Sequence, residues 1–150
     1  MISFRDATEA DLPTIVALLA DDDIGETREK QAAQIPQAYV DAFREMQTQG
    51  MNRIILAEKD GAVVGCFQFV VLPGLSRQGS RRALVEGVRV ASSLRGEGIG
   101  TILMRHAIEE AKKAGCKLIQ LTSDKRRPRA HLFYRRLGFQ QSHEGFKLEL

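Results

Sequence analysis

The sequence has 150 residues, 43% of them hydrophobic, and carries 22 Lys and Arg against 19 Asp and Glu for a mild net charge of +3. Length and apolar content suit one compact soluble domain over residues 1–150. The longest apolar run, "CFQFVVL", contains Gln68 and falls far short of a membrane span, and no basic-then-apolar leader opens the chain, so a cytoplasmic protein is expected.

In chain order, "ISFRDA" has the composition of a first strand. Thr8 and Asp11 resemble a capping pair for a helix whose apolar face is Leu12, Ile15, Val16 and Leu19. The acidic loop with Asp21, Asp22 and Asp23 follows, and then a second helix over about residues 36 to 48. Two strand-like runs flank Lys59-Asp60-Gly61, a hairpin signal. "LPGLSRQGSRR" is a polar loop and "ALVEGVRV" a strand. From Ile99 to Ala114, Leu103, Met104, Ala107, Ile108 and Ala111 share one side of a helix that Gly115 ends. "CKLIQLTS" is expected as a buried strand closing a parallel βαβ unit. Pro128 opens a short helix, Gly138 stops it, and "FQQSHEGFKLEL" is expected to form closing strands.

Cys66 and Cys116 lie in strand-like stretches with no second Cys or His at metal-ligand spacing, which points to core thiols and no metal. Of the histidines, His106 falls on the solvent side of its helix by angular count, and His131 and His143 have no carboxylate or second ligand in position. Basic residues gather at Arg77, Arg81 and Arg82 and from Lys125 to Arg129, either as solvated faces or as phosphate partners. Aromatic residues make up 6% of the chain and do not interleave with the basic ones, which argues against nucleic acid as a partner.

Three glycines within five positions, Gly96, Gly98 and Gly100, stand at the mouth of the long helix. Such a turn either aims consecutive backbone N–H groups at an anion, helped by the positive end of the helix, or is a tight turn with glycine at positive φ. A Walker loop needs Lys and then Ser or Thr after its last glycine, but Thr101 follows Gly100 directly. The dinucleotide fingerprint needs a third glycine at position 101 and a loop that starts as the strand ends. Asp124 lies at a plausible distance for a ribose-binding acid, which keeps a nicotinamide-type enzyme in view as a weaker alternative.

Arg95-Gly96-Glu97-Gly98-Ile99-Gly100 fits the Gln/Arg-x-x-Gly-x-Gly/Ala signature of the GNAT family of N-acetyltransferases, with "VEGVRV" as the strand before it. "FRDATEADLPTIVALL" resembles the opening strand and helix of that family, and "AHLFYRRLGF" its closing pattern. The resemblance implies an α/β fold with a mixed, mostly antiparallel sheet flanked by helices, in which a parallel strand pair splays apart around acetyl-CoA. It also implies that the N–H groups of Arg95, Gly96, Glu97, Gly98, Ile99 and Gly100, with Thr101 beside them, hold the pyrophosphate. Backbone groups of Val88 and Val90 are expected to meet the pantetheine arm and thioester. The family commonly has Asn three residues before the Ala of the closing motif where this chain has Arg127, so Arg127, with Lys125, Arg126 or Arg129, is expected to approach the cofactor phosphates instead.

Acetyl transfer to an amine needs a neutral nitrogen, a polarised carbonyl and a proton for the departing thiolate. Glu86 interrupts an apolar strand on the face of Leu84 and Val88, and is either a general base or an ion-pair partner of Arg82 or Arg89. Tyr134 shares helical spacing with Ala130, Phe133 and Leu137, as a core tyrosine would. The family likeness instead makes its hydroxyl the general acid. The acceptor is expected to be a small-molecule amine, held either by the Asp21 to Asp23 loop or, through an anionic group, by Arg77, Arg81 and Arg82. "LTSDKRRPRAHLFYRRLGFQQSHEGF" resembles the tail of aminoalkylphosphonate acetyltransferases. Dimers are common in the family, so a homodimer is one expectation. A non-catalytic coenzyme A sensor of the same fold is the alternative function.

Overall fold

Residues 1–22, 24–29 and 34–150 are described by the structure, a computed structural model. They fall into two compact units, Met1–Gln120 and Leu121–Leu150. The first begins with β1 (Ile2–Asp6), a 3-10 turn (Glu9–Asp11) and α1 (Leu12–Ala20). Asp11 secures this start by accepting the Thr8 N–H at 2.7 Å while the Arg5 guanidinium donates to it at 2.8 Å. One-turn α2 (Gly25–Arg28) and α3 (Gln37–Gln49) follow. β2 (Asn52–Lys59) and β3 (Ala62–Leu72) then form the expected hairpin. Its two-residue turn puts Asp60 at φ 52° and Gly61 at φ 78°, the backbone that matches strand twist.

A single turn, α4 (Ser76–Gly79), leads into β4 (Arg82–Val90). A second 3-10 turn (Ser92–Leu94), α5 (Ile99–Lys113) and β5 (Leu118–Gln120) complete the unit. The sheet order is β1-β2-β3-β4-β5, antiparallel except for the parallel pair β4 and β5. This mostly antiparallel sheet replaces the doubly wound parallel sheet that a dinucleotide-binding enzyme requires.

One face of the sheet carries Leu56 and Cys66 against Leu12, Ile15 and Leu18 of α1 and Phe43 of α3. On α5, Leu103, Met104, Ala107 and Ala111 are buried, as the periodicity requires. On α1 the buried leucine is Leu18 rather than Leu19, which is half-buried. His106 is not on the solvent side. It is half-buried and stacks on the Phe4 ring of β1 with centroids 3.8 Å apart, a contact that helical periodicity cannot show. Cys116 is half-buried and precedes β5, so only Cys66 is a core thiol.

The second unit holds α6 (Pro128–Arg136), entered through Pro128 and followed by Gly138 at φ 99°. Two expectations for the end of the chain need correction. The strand at residues 116–123 is laddered over only three residues and is half-buried, and no strand forms over residues 139–150. Residues 140–150 are exposed, and an alternating apolar segment becomes a strand only where a neighbour supplies hydrogen-bond partners.

Candidate active site

The glycine inside "VEGVRV" marks the feature that shapes this region. The register pairs Gln68 with Glu86 but Cys66 with Arg89, so Phe67 alone faces two residues of β4, and Gly87 sits at φ 57°. This is a β-bulge, and it shifts the alternation of every later residue. Glu86 therefore shares its face with Leu84 and Arg89, whereas Val88 falls on the opposite face, contrary to the simple alternation expected for this strand.

Pairing of β4 with β5 covers only Arg82, Ala83 and Leu84, so residues 85–90 run on with a ladder to β3 alone. Beyond that point the two parallel strands no longer bond, which is the splay that the sequence motif implied. The Ala91 N–H donates to the Val64 carbonyl at 2.9 Å, on the β3 side. Strand alternation then turns the N–H and carbonyl of Val90, and the carbonyl of Val88, to the open edge. Val88 O already accepts one bond, from Arg89 Nη1 at 2.9 Å.

After β4 the glycine turn has the bare form expected of it. Gly96 and Gly98 lie at φ 88° and 82°, both exposed, and a Cβ built on either would meet nothing within 4 Å. Gly98 is the N-cap residue of α5, and its carbonyl accepts the Ile102 N–H at 3.2 Å. Buried Ile99 anchors the helix start. The N–H groups ahead of Ile102, those of Ile99, Gly100 and Thr101 among them, have no acceptor within the helix, and they stand at its positive end. Open space over glycine, together with unshielded N–H donors, fits a pyrophosphate. Arg95 and Glu97 are exposed and contribute backbone to this turn.

The acidic loop after α1 holds the turn in place. Asp21 Oδ2 accepts the Ser92 N–H at 2.9 Å, and the Arg95 guanidinium donates to the Asp21 carbonyl. Donation from the Ser92 backbone holds the Asp21 carboxyl below its ordinary range. Asp22 accepts the Gly25 N–H and pairs with Arg89 Nε at 3.4 Å, with both side chains largely buried. Asp21 and Asp22 are thus engaged in building the site, and Asp23 lies outside the described residues. Beside them, an open groove of about 660 Å³ is lined by Thr14, Leu18, Asp21, Asp22, Glu26 and Arg95.

Glu86 is exposed, not buried, and Arg89 pairs with Asp22 rather than with it. Tyr134 belongs to the second unit, where its half-buried ring packs edge-on against Phe133 and Phe139. Arg127 is the N-cap residue of α6 and donates its N–H to the Asp124 carbonyl at 3.0 Å. In the same turn Arg126 pairs with the Asp124 carboxylate at 2.8 Å, which takes part of the basic run out of play as a phosphate partner. Arg81 donates to the Ala114 carbonyl at 3.1 Å and so caps the end of α5. The Arg89–Asp22 pair escaped the sequence analysis, since nothing in spacing links residues 67 positions apart. The Gly87 bulge had a signal, an isolated glycine inside a strand pattern.

Comparison with known proteins now bears on this arrangement. Residues 16–139 match the model of the acetyltransferase (GNAT) family. The chain is 34% identical over 110 residues to an aminoalkylphosphonate N-acetyltransferase of Salmonella typhimurium, covering 73% of this chain and 71% of the relative. A crystal structure of a transcriptional regulator from Bacillus halodurans C-125 is 47% identical, with a TM-score of 0.96 over 100% of both chains. A predicted acetyltransferase from Clostridium acetobutylicum, solved with acetyl-CoA, shares the fold at 20% identity and a TM-score of 0.76 over 99% of this chain and 96% of its own. With the splayed strand pair, the bare glycine turn and the family match in agreement, the chain belongs to the GNAT family of acetyltransferases, enzymes that take acetyl-CoA as co-substrate.

Proposed function

We propose that residues 1–150 work as one N-acetyltransferase domain that moves an acetyl group directly from acetyl-CoA to the primary amine of a small molecule in the cytoplasm. The observation that carries this reading is the glycine turn at positive φ, opening onto α5 beside the stretch of β4 that has lost its partner on one side. The co-substrate supplies an activated acetyl thioester. Arg95, Gly96, Glu97, Gly98, Ile99, Gly100 and Thr101 would bind its pyrophosphate through backbone N–H groups, Arg127 would add charge toward its phosphates, and Val88 and Val90 would orient the pantetheine arm.

Glu86 is the proposed general base. A primary amine with a pKa near ~10.4 is almost wholly protonated at neutral pH, and a solvent-reachable carboxylate on the open stretch of β4 can take that proton, directly or through water. Tyr134 is the proposed acid, its Oη holding the proton that the departing thiolate needs, a role supported by the "FY" of the closing motif. The likeness to the aminoalkylphosphonate enzyme supports an amine that also carries an anionic group, with Arg77 and Arg82 as its candidate partners. The acidic loop is a poorer amine holder than its composition suggests, because Asp21 and Asp22 are already engaged.

The test is acetyl-CoA-dependent thiol release against aminoalkylphosphonates, polyamines, amino acids, aminoglycosides and peptide N-termini, with a blank lacking amine. Release above the blank with one class identifies the acceptor. The likeness to the Bacillus halodurans regulator favours a second reading, a coenzyme A sensor without turnover. That reading predicts stabilisation by acetyl-CoA with silence across the whole panel.

A further inference from the structure

The longest apolar run of the chain is broken by one polar residue, Gln68, which stands between buried Phe67 and Phe69 on β3. A half-buried amide there is costly unless its polar groups are used. Gln68 Nε2 donates to Asn52 Oδ1 at 2.8 Å, and Asn52 Nδ2 donates to Gln49 Oε1 at 2.8 Å, a relay that begins at the end of α3. Drawing Nε2 toward β2 leaves the amide oxygen toward β4, the strand on the other side of β3. There the register places Glu86 directly opposite Gln68, on the same face of the sheet and within side-chain reach. Among the described residues, Gln68 donates to Asn52 and not to Glu86. An amide oxygen and a carboxylate, two acceptors that cannot bond each other, therefore stand side by side where β4 has run past its ladder to β5.

We propose that Gln68 Oε1 and the Glu86 carboxylate together grip the acceptor nitrogen, so that Gln68 selects amines over alcohols and aims the attacking lone pair; this rests on Glu86 as the base. Two acceptors converging on one atom require two donors from it. An ammonium group offers three N–H donors, whereas a hydroxyl offers a single O–H. Once Glu86 has taken a proton, the amine keeps two N–H groups and gains a lone pair. The N–H that it donates to Gln68 fixes the direction in which that lone pair can point, the orientation on which attack at the thioester carbon depends. Asn52 and Gln49 act through Gln68 as positioning residues, since they keep the amide from rotating its nitrogen toward the carboxylate.

The test has two arms. Side-chain amide NMR of the full chain without acetyl-CoA compares ethylammonium with tetramethylammonium, which has the same charge and no N–H. Ethylammonium should shift the Gln68 Nε2 resonances, identified by their loss in Gln68→Met, and tetramethylammonium should leave them in place. The second arm is steady-state kinetics on the amine that the thiol-release panel selects. Gln68→Met should raise the acceptor KM on the order of tenfold, the factor for one hydrogen bond to a charged donor, with the acetyl-CoA KM unchanged. Gln68→Glu, which keeps an acceptor oxygen, should stay nearer the wild type, and Asn52→Ala should raise the acceptor KM less than Gln68→Met does. A relay that only supports the fold would lower the melting temperature in these variants and leave the acceptor KM alone. Equal response to the two cations overturns the proposal, as does no response to ethylammonium or a wild-type acceptor KM in Gln68→Met. Wild-type turnover in Glu86→Gln removes the base instead, and the NMR arm reads Gln68 without any turnover.

Discussion

Replacing Gly98 separates backbone strain from loss of the phosphate cradle. At φ 82° any L side chain is strained, at about 1 kcal/mol, and because a Cβ there meets no atom within 4 Å no steric cost is added. In a chain of 150 residues that strain lowers the melting temperature by about 3 °C. Acetyl-CoA at about one hundred times its Kd contributes ~2.7 kcal/mol to the wild type, an upward shift of about 8 °C. Gly98→Ala and Gly98→Glu pay the same backbone cost without ligand. They differ once acetyl-CoA is added, because the glutamate puts length and negative charge where the pyrophosphate is proposed to rest. Thermal melts with and without acetyl-CoA should show the increment abolished in Gly98→Glu and partly kept in Gly98→Ala. A wild-type increment in Gly98→Glu would refute the cradle.

Tyr134→Phe should lower kcat by about tenfold to a hundredfold while leaving the acetyl-CoA melting increment intact, and wild-type turnover would return Tyr134 to a packing role. Glu86→Gln should lose activity at neutral pH and regain part of it as pH rises and free amine accumulates; a pH profile superimposable on the wild type removes Glu86 as base. The Asp21 carboxyl titrates below its ordinary 3.8 in the folded protein, so the stability it contributes is present above about pH 4 and fades as pH falls through the lowered value. Asp21→Ala should therefore melt below the wild type at pH 7, with the gap closing in acid, and an equal gap at pH 3 would show that the charge contributes nothing. Burial pushes the Cys66 thiol up to about 12, so a thiol reagent at pH 8 should leave Cys66 unmodified until the chain is unfolded. Rapid native labelling of Cys66 would contradict its place in the core.

Most of the helices and the hairpin were legible because their signals are local. Helix α5 shows its apolar stripe and glycine stop, and the β2–β3 turn shows its Asp60-Gly61 pair. The glycine turn was legible for the same reason, since its chemistry resides in consecutive backbone groups. What escaped were features set by distant partners. The faces of Glu86 and Val88 follow from a register that only the pairing with β3 defines, and His106 is covered by a strand about a hundred residues earlier in the chain. The engagement of Asp21 with Ser92, and of Asp22 with Arg89, turned an acidic run that looked like a ligand site into part of the scaffold. The closing strands expected over residues 139–150 do not form, because strand-like composition specifies no partner strand to supply the hydrogen bonds.

The bulge at Gly87 also protects β4 against misalignment. Were the extra residue squeezed out, everything after it would turn over, and Arg89 would swing from its contact with Asp22 into the layer occupied by Phe67 and the apolar side of α5. A guanidinium cannot be accommodated there without a counter-charge, so the slipped alignment is penalised at the same residue that rewards the correct one. Gly87 and Arg89 thus act as a paired lock on strand alignment: the glycine permits the kink and the arginine makes its absence costly. Exchange at Gly87 for a larger residue should show up less as lost packing, since its Cβ would meet only the flexible end of Leu19 at 3.3 Å, than as heterogeneity in the alignment of the strand that leads into the glycine turn.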